Sequence, residues 1–177
     1  PINTSDDFNK ARILSVNNKK IYDEFKKYDI LIVPGFQGVD KNFNITTLGR
    51  GGSDTSAVAI ASSLKVECVI YTDVEGVYTT DPNLVPKAKK IPKISYEEML
   101  ELASQGAKVL QTRSVELAMR KKTKLSVRSS IKPSASGTVI TDENKVLENN
   151  TVSGIAFSRD EAKITLSKVL DKPGVSS

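Results

Sequence analysis

Apolar positions along the chain fall into short β-branched runs that alternate with helical repeats. Ile21, Phe25 and Tyr28 recur at i, i+4, i+7 among Lys, Asp and Glu, the period of an amphipathic helix over 18–28. Ile30-Leu31-Ile32-Val33 is wholly apolar and closes on Pro34-Gly35, the pattern of a parallel strand covered on both faces. The loop Gly35–Gly38 follows, then a polar turn over 40–44, and Ile45-Thr46-Thr47-Leu48 reads as a second strand leading into Gly49-Arg50-Gly51-Gly52-Ser53-Asp54. From Thr55 to Leu64 the residues are Ala, Val and Ile on nearly all sides. That predicts a buried crossover helix with Ser53 or Asp54 capping its start, followed by a strand over 66–72.

Beyond Thr72 the pattern turns polar. Residues 73–82 predict a long ordered loop, because Gly76 and Asp81-Pro82 carry turn chemistry, and such loops commonly hold function. Ser95-Tyr96-Glu97-Glu98 spells a capping box, with Met99, Leu100 and Leu102 continuing a helix that stops near Gly106. A further helix is expected from about Lys108 to Lys121, then closing strands at 125–127 and 138–140. Strands alternating with helices make residues 1–140 an α/β domain. Residues 141–151 are polar without a sustained period and read as a linker. Beyond them Ala162, Ile164 and Leu166 alternate with Lys163, Thr165 and Ser167, the period of a half-buried strand opening a new unit over 152–177. So short a segment cannot bury its own core, which predicts a truncated domain or one completed by another chain.

Composition narrows the chemistry. With 177 residues, 38% hydrophobic and 27% charged, the chain fits one compact domain and part of another, and excludes wholesale disorder. No apolar run approaches the roughly 20 residues that span a bilayer, and the polar start is unlike a signal peptide, so a soluble cytoplasmic protein with no membrane partner is expected. The single cysteine, Cys68, sits in an apolar run and reads as packing; histidine is absent. Ser-His and Cys-His nucleophile pairs and His-containing zinc sites are therefore excluded, and no metal-ligand set is proposed. What remains favours phosphoryl transfer, in which the protein mainly positions charge. The net charge of +5 agrees weakly with that. Arg120-Lys121-Lys122-Thr123-Lys124 lacks interleaved aromatics and reads as a solvated helix end, so no nucleic-acid partner is expected. Glu97 and Glu98 are explained by capping and form no acid–base dyad.

The segment Gly49–Asp54 carries the strongest local signal. Its glycines let the backbone turn tightly and present N–H groups to an anion, the helix start adds a positive dipole end, and Arg50 can fork onto a carboxylate or phosphate. No Lys-Ser or Lys-Thr follows, so it is not a Walker loop, and Asp54 replaces the last glycine of the dinucleotide pattern. The plainer alternative is a tight strand-to-helix turn with no ligand.

These residues, with Gly35-Phe36-Gln37-Gly38, Tyr71-Thr72-Asp73, Gly76-Val77-Tyr78-Thr79-Thr80-Asp81-Pro82, Ile94–Met99, Gly106-Ala107-Lys108-Val109-Leu110 and Val127-Arg128-Ser129-Ser130, resemble the aspartokinase family in order and spacing. Gly154-Ile155 and Asp160–Thr165 resemble the opening of that family's regulatory ACT domain. The resemblance implies a three-layer αβα amino-acid-kinase-like sheet, its C-terminal half only, followed by the start of an α+β ACT domain. It implies transfer of the ATP γ-phosphoryl group to the side-chain carboxylate of L-aspartate, giving 4-phospho-L-aspartate on the route to lysine, methionine and threonine, with Mg2+ required. By position, Arg50 would grip the substrate α-carboxylate with Gly51, Gly52 and Ser53 assisting, and Asp54 would organise lysines around the transferring phosphate. Thr72, Asp73, Tyr78, Asp81 and Lys108 would bind ATP. Lysine or threonine would regulate a homo-oligomeric complete enzyme.

Two departures from the family pattern stand out: Asn83 stands where many relatives carry arginine, and Gln111-Thr112-Arg113 replaces the His-Pro form seen in part of the family, in which a Gln form also occurs. The family's Lys-(Phe/Tyr)-Gly-Gly-(Thr/Ser) segment has no counterpart, so the chain is expected to be a fragment with negligible activity alone. The rival readings are a non-catalytic nucleotide or amino-acid-binding remnant, or a fragment that complements a separately encoded half, and an amino-acid kinase whose acceptor is glutamate, carbamate or a nucleoside monophosphate.

Overall fold

The β-branched runs and helical repeats assemble, in a computed structural model that describes residues 2–107, 109–142 and 154–156, into two four-stranded sheets joined by helices. The strands are β1 (Ile2–Thr4), β2 (Ile13–Val16), β3 (Gln37–Val39), β4 (Ile45–Thr47), β5 (Cys68–Thr72), β6 (Lys93–Ser95), β7 (Leu125–Ser129) and β8 (Thr138–Thr141). The helices are α1 (Asn18–Phe25), α2 (Gly52–Leu64), α3 (Tyr96–Ser104) and α4 (Thr112–Lys121). The first sheet has the order β2-β1-β3-β4 and the second β5-β7-β8-β6. In the second, β5 runs parallel to β7 and β6 parallel to β8, while β7 and β8 are antiparallel. The α/β class expected from the alternation holds, but among the described residues the strands form two sheets instead of one.

α2 packs against both sheets, touching β2 and β3 of the first and β5 of the second, and it also lies on α4. Its small side chains make that possible: Ser56, Val58, Ala59 and Ala61 are all buried, as the all-round apolar pattern predicts. The main core gathers Val58, Met99, Leu102, Val115, Leu125, Val127 and Ile140 between α2, α3, α4 and the second sheet. Tyr96 fits this core because its hydroxyl donates to the Thr123 carbonyl (2.8 Å), so the ring is buried without an orphaned polar atom. The capping box forms as predicted: Glu98 N–H donates to Ser95 Oγ (3.1 Å) and Ser95 N–H to Glu98 Oε2 (3.0 Å).

Several expectations are corrected. Ile30–Val33 is not a strand: no other strand pairs with it among the described residues, and Ile30 and Ile32 are 81% and 94% exposed. A parallel strand exists only through ladders to its neighbours, and here apolar, β-branched chemistry is present without them. The preceding helix α1 is two turns long, begins on an Asn17 cap and buries none of its residues; Phe25 and Tyr28 stay exposed. α2 is not capped by Ser53 or Asp54. Its cap is Gly51, left-handed at φ 70°, so Ser53 and Asp54 already lie inside the first turn. The helix expected from about Lys108 starts at Thr112, and β1, β2, β3 and β6 were not anticipated, being three or four residues long. The linker expected at 141–151 is described only at Thr141 and Asp142, and of the regulatory unit expected at 152–177 only residues 154–156 are described.

Two features of the second sheet yield tests. Cys68 is a free, buried thiol on β5, and burial, aided by the negative charges of Asp54 and Glu67, pushes its pKa up to about 11. At pH 8 its thiolate fraction is then on the order of 10⁻³, and attack by a disulfide reagent is expected to be slow in native buffer and fast in denaturant; equal rates in both would contradict the burial. At Gly137 an added methyl would drive into the Val127 carbonyl oxygen on the neighbouring strand. Gly137→Ala is expected to destabilise by about 1–3 kcal/mol, read from the urea midpoint, whereas Ala135→Gly in the same turn should cost less.

Candidate functional site

The glycine loop between β4 and α2 is shaped by what surrounds it. Gly49 and Gly51 have φ of 75° and 70°, the left-handed region that favours glycine. A Cβ at Gly51 would also run into the Gln111 side chain, and one at Gly52 would meet both Leu48 and Phe36 at 2.9 Å. Gly52 N–H donates to Gly49 O (3.0 Å) and Thr55 N–H to Gly51 O (3.1 Å). With glycine as the cap, no side chain reaches the first turn, and the Ser53 and Asp54 N–H groups have no acceptor among the described residues. Both are left pointing out of the positive end of α2.

Arg50 is exposed and makes no ion pair among the described residues. Ser53 is exposed, and Asp54 is half-buried. Burial raises the Asp54 pKa, while the Gln111 backbone N–H and the Ser53 side chain hold it down by hydrogen bonding to the carboxylate. The loop Gly35–Gly38 does lie nearby: Phe36 N–H donates to Ser56 Oγ (3.3 Å), and Ser56 Oγ donates to Ser53 O (2.8 Å). The glycine loop thus brings together an exposed cation, two N–H groups without an acceptor among the described residues and one carboxylate. The N–H groups and the guanidinium suit a planar anion such as a carboxylate.

Sequence reasoning missed the two residues that brace this loop. Arg113, at the start of α4, donates to the carbonyls of Leu48 (2.6 Å) and Ala11 (2.8 Å), and Gln111 holds both Asp54 and the space beside Gly51. Their contacts cross 65 and 102 residues of chain for Arg113, so nothing local announces them.

A second site lies beyond the C-terminal end of β5. A cavity of about 690 Å³ is lined by Thr72, Asp73, Tyr78 and Asp81, so the structure brings together the four described residues predicted for a nucleotide. Its apolar lining comes from Val77, from Leu102 of α3, from Ala107 and Val109, and from Ile155 and Ala156. Thr72 Oγ1 donates to Asp73 Oδ1 (2.9 Å), and Asp81 Oδ1 accepts the Asn83 N–H (2.9 Å), closing a small turn. Thr138 of β8 secures the loop by accepting the Val77 N–H (2.8 Å) and donating to Ile91 O (2.6 Å). Glu75 is paired with Lys132 at 2.7 Å, and that hydrogen bond holds its carboxyl below the usual range. Lys108 lies outside the described residues, although both of its neighbours in sequence line the cavity. The Arg50 loop is not part of the cavity lining.

Known proteins resemble this chain in sequence and fold. The chain is 55% identical over 175 residues to an aspartate kinase of Pseudomonas putida, which covers 98% of this chain and 42% of that protein. It is 50% identical over 179 residues to an aspartokinase of Helicobacter pylori, covering 98% and 44%. The chain thus spans about two-fifths of the length of the curated relatives it matches. The fold matches Escherichia coli aspartokinase III, in complex with aspartate and ADP in its R-state, with a TM-score of 0.73 at 36% identity over 80% of this chain and 33% of that one. Residues 2–129 match the amino acid kinase family, a span that holds the glycine loop and all of the β5 cavity's lining except Ile155 and Ala156, so the chain belongs to that family.

Proposed function

We propose that this chain carries the acceptor and nucleotide sites of an aspartate kinase, which transfers the ATP γ-phosphoryl group to the side-chain carboxylate of L-aspartate. The observation that carries the reading is an unpaired Arg50 beside two uncapped N–H groups at the start of α2. That is donor chemistry for a carboxylate, in a chain 55% identical to an aspartate kinase.

In this reading the Arg50 guanidinium takes the α-carboxylate in a two-pronged hydrogen bond, and Ser53 with the first-turn N–H groups of α2 orients the rest of the substrate. Asp54, held by the Gln111 N–H, organises positive charge around the transferring group; Lys108 supplies part of that charge. The cavity at β5 takes ATP, with Thr72 and Asp73 on the ribose or base and Tyr78 and Asp81 along the same wall. Ligands of open α/β sheets bind beyond the carboxyl ends of strands, and β5 ends at Thr72. Mg2+ fits this donor set: Asp73 and Asp81 line the cavity, and among the described residues no group of three acidic or thiol ligands makes a cage. That suits an ion held chiefly by phosphates and water, and when bound it neutralises phosphate charge. A regulatory lysine or threonine and a homo-oligomeric state belong to the same reading of the complete enzyme.

Binding without turnover by this chain alone is the companion proposal, supported by the apolar run at 30–33, where Ile30, Ile32 and Val33 lie exposed with no strand paired to them among the described residues. Titration calorimetry is expected to show L-aspartate binding that weakens at least tenfold in Arg50→Ala and is not restored by Arg50→Lys, since an ammonium cannot reproduce the fork. Unchanged aspartate affinity in Arg50→Ala would sink the acceptor assignment. ADP release from Mg·ATP and L-aspartate by this chain alone is expected to stay at background; release that needs both substrates and disappears in Arg50→Ala would overturn the companion proposal.

A further inference from the structure

The β5 cavity has a wall that belongs to no strand or helix of the kinase-like fold. Ile155 and Ala156 line the cavity, with Gly154 just before them, far along the chain from the loop and helix they touch. Ile155 N–H donates to the Thr79 carbonyl at 2.7 Å, which ties the segment to the loop between β5 and β6. A Cβ added at Gly154 would stand 3.2 Å from both Leu102 Cδ2 and the Thr79 oxygen, so the segment is pressed between that loop and α3. Ala156 packs against the main core. The three residues therefore form a strap with one end seated in the core and its middle bonded to the nucleotide loop.

Ile155 gives the strap a role beyond closure. Its backbone is fixed, yet its side chain lines the cavity and is 66% exposed. An apolar side chain held open to water at a cavity gains stability when a flat apolar ligand surface covers it. The cavity's polar groups Thr72, Asp73 and Asp81 come from the end of β5 and the loop that follows it, the same loop to which the strap is bonded. A ligand with a polar sugar–phosphate part and a flat apolar part matches both.

We propose that Gly154–Ala156 is a structural wall of the nucleotide site, that Ile155 packs on the base, and that strap docking and nucleotide binding strengthen each other. This rests on the nucleotide reading of the cavity. If the strap docks only in the conformation that binds nucleotide well, linkage requires that nucleotide hold the strap down by the same factor. Gly154-Ile155 also opens the stretch of sequence that resembles a regulatory domain, so whatever displaces that stretch would change nucleotide affinity without touching the polar contacts.

The test uses the whole chain and Mg·ADP, followed by titration calorimetry and by hydrogen exchange at the Ile155 amide. The parent chain is expected to bind, Ile155→Leu to bind within about twofold of it, and Ile155→Asp to bind at least tenfold more weakly, a charged tip replacing the apolar cover. Gly154→Val, which forces the strap off Leu102, is expected to weaken binding and to lose protection at the Ile155 amide together. Mg·ADP is expected to increase that protection in the parent. Circular dichroism checks that each variant is folded, and the exposure of Ile155 makes its replacement mild. Parent-like affinity in both Ile155→Asp and Gly154→Val, with no change in protection on adding Mg·ADP, would overturn the strap alone and leave the nucleotide reading standing. A folded parent chain that does not bind Mg·ADP would overturn both.

Discussion

The two hydrogen bonds from the Arg113 guanidinium hold the site side of the molecule together. One end of the fork takes the carbonyl of Leu48, at the exit of β4, and the other takes the carbonyl of Ala11, ahead of β2. Both carbonyls belong to the side of the first sheet, whereas Arg113 stands on α4, which packs against α2 and α3 over the second. Burying two backbone carbonyls without donors would cost on the order of 1–3 kcal/mol each, and a charged donor shared between them is stronger than two neutral ones. The placement of Gly49–Gly51 follows, because Leu48 is the last residue before the glycine loop turns.

Once Leu48 is fixed, the loop has little freedom left. Gly51 has the Gln111 side chain against it and Gly52 has Leu48 and Phe36 against it, so neither position accommodates a Cβ. Glycine at the cap in turn leaves the start of α2 without a side-chain acceptor, which in an ordinary helix would be a defect. Here it leaves N–H donors open beside Arg50. The same sequence that reads as a tight turn thus also leaves donors that suit an anion, and the contacts that hold it there come from Gln111 and Arg113, not from the loop itself.

This explains which parts of the fold could be read from the chain and which could not. The Ser95–Glu98 capping box and the turn chemistry at Asp81 were legible because their hydrogen bonds span two or three residues. The buried character of α2 was legible because a helix apolar on all sides has no other stable setting. Ile30–Val33 was misread because composition reports the capacity to form a strand, while burial depends on neighbours that composition does not name. The cap of α2 was misread for a related reason: Ser53 and Asp54 are good caps, but the left-handed Gly51 takes that position first. Arg113 and Gln111 act through contacts distant in sequence, and no spacing rule would have found them. Of the residues expected to bind nucleotide, Thr72, Asp73, Tyr78 and Asp81 do share one cavity, but nothing in the sequence marked Leu102 and Ile155 as part of its apolar side.

The glycine loop and the β5 cavity are separate in their linings, yet one stretch of chain serves both. The connection from α3 to α4 lines the cavity through Gly106, Ala107 and Val109, and within a few residues it supplies Gln111 to Asp54 and Arg113 to Leu48. The α3 end of this connection also meets the strap, through Leu102 against Gly154. A shift of that connection therefore cannot alter one site and spare the other, because the Gln111 contacts and the Ala107–Val109 wall are a few peptide units apart. In the aspartate-kinase reading proposed above, phosphoryl transfer requires the two substrates to be held in line to within a fraction of an ångström. A short connection shared by both sites, pinned by Arg113 at one end and pressed by the strap at the other, meets that requirement with fewer independent parts than two separately built pockets would need.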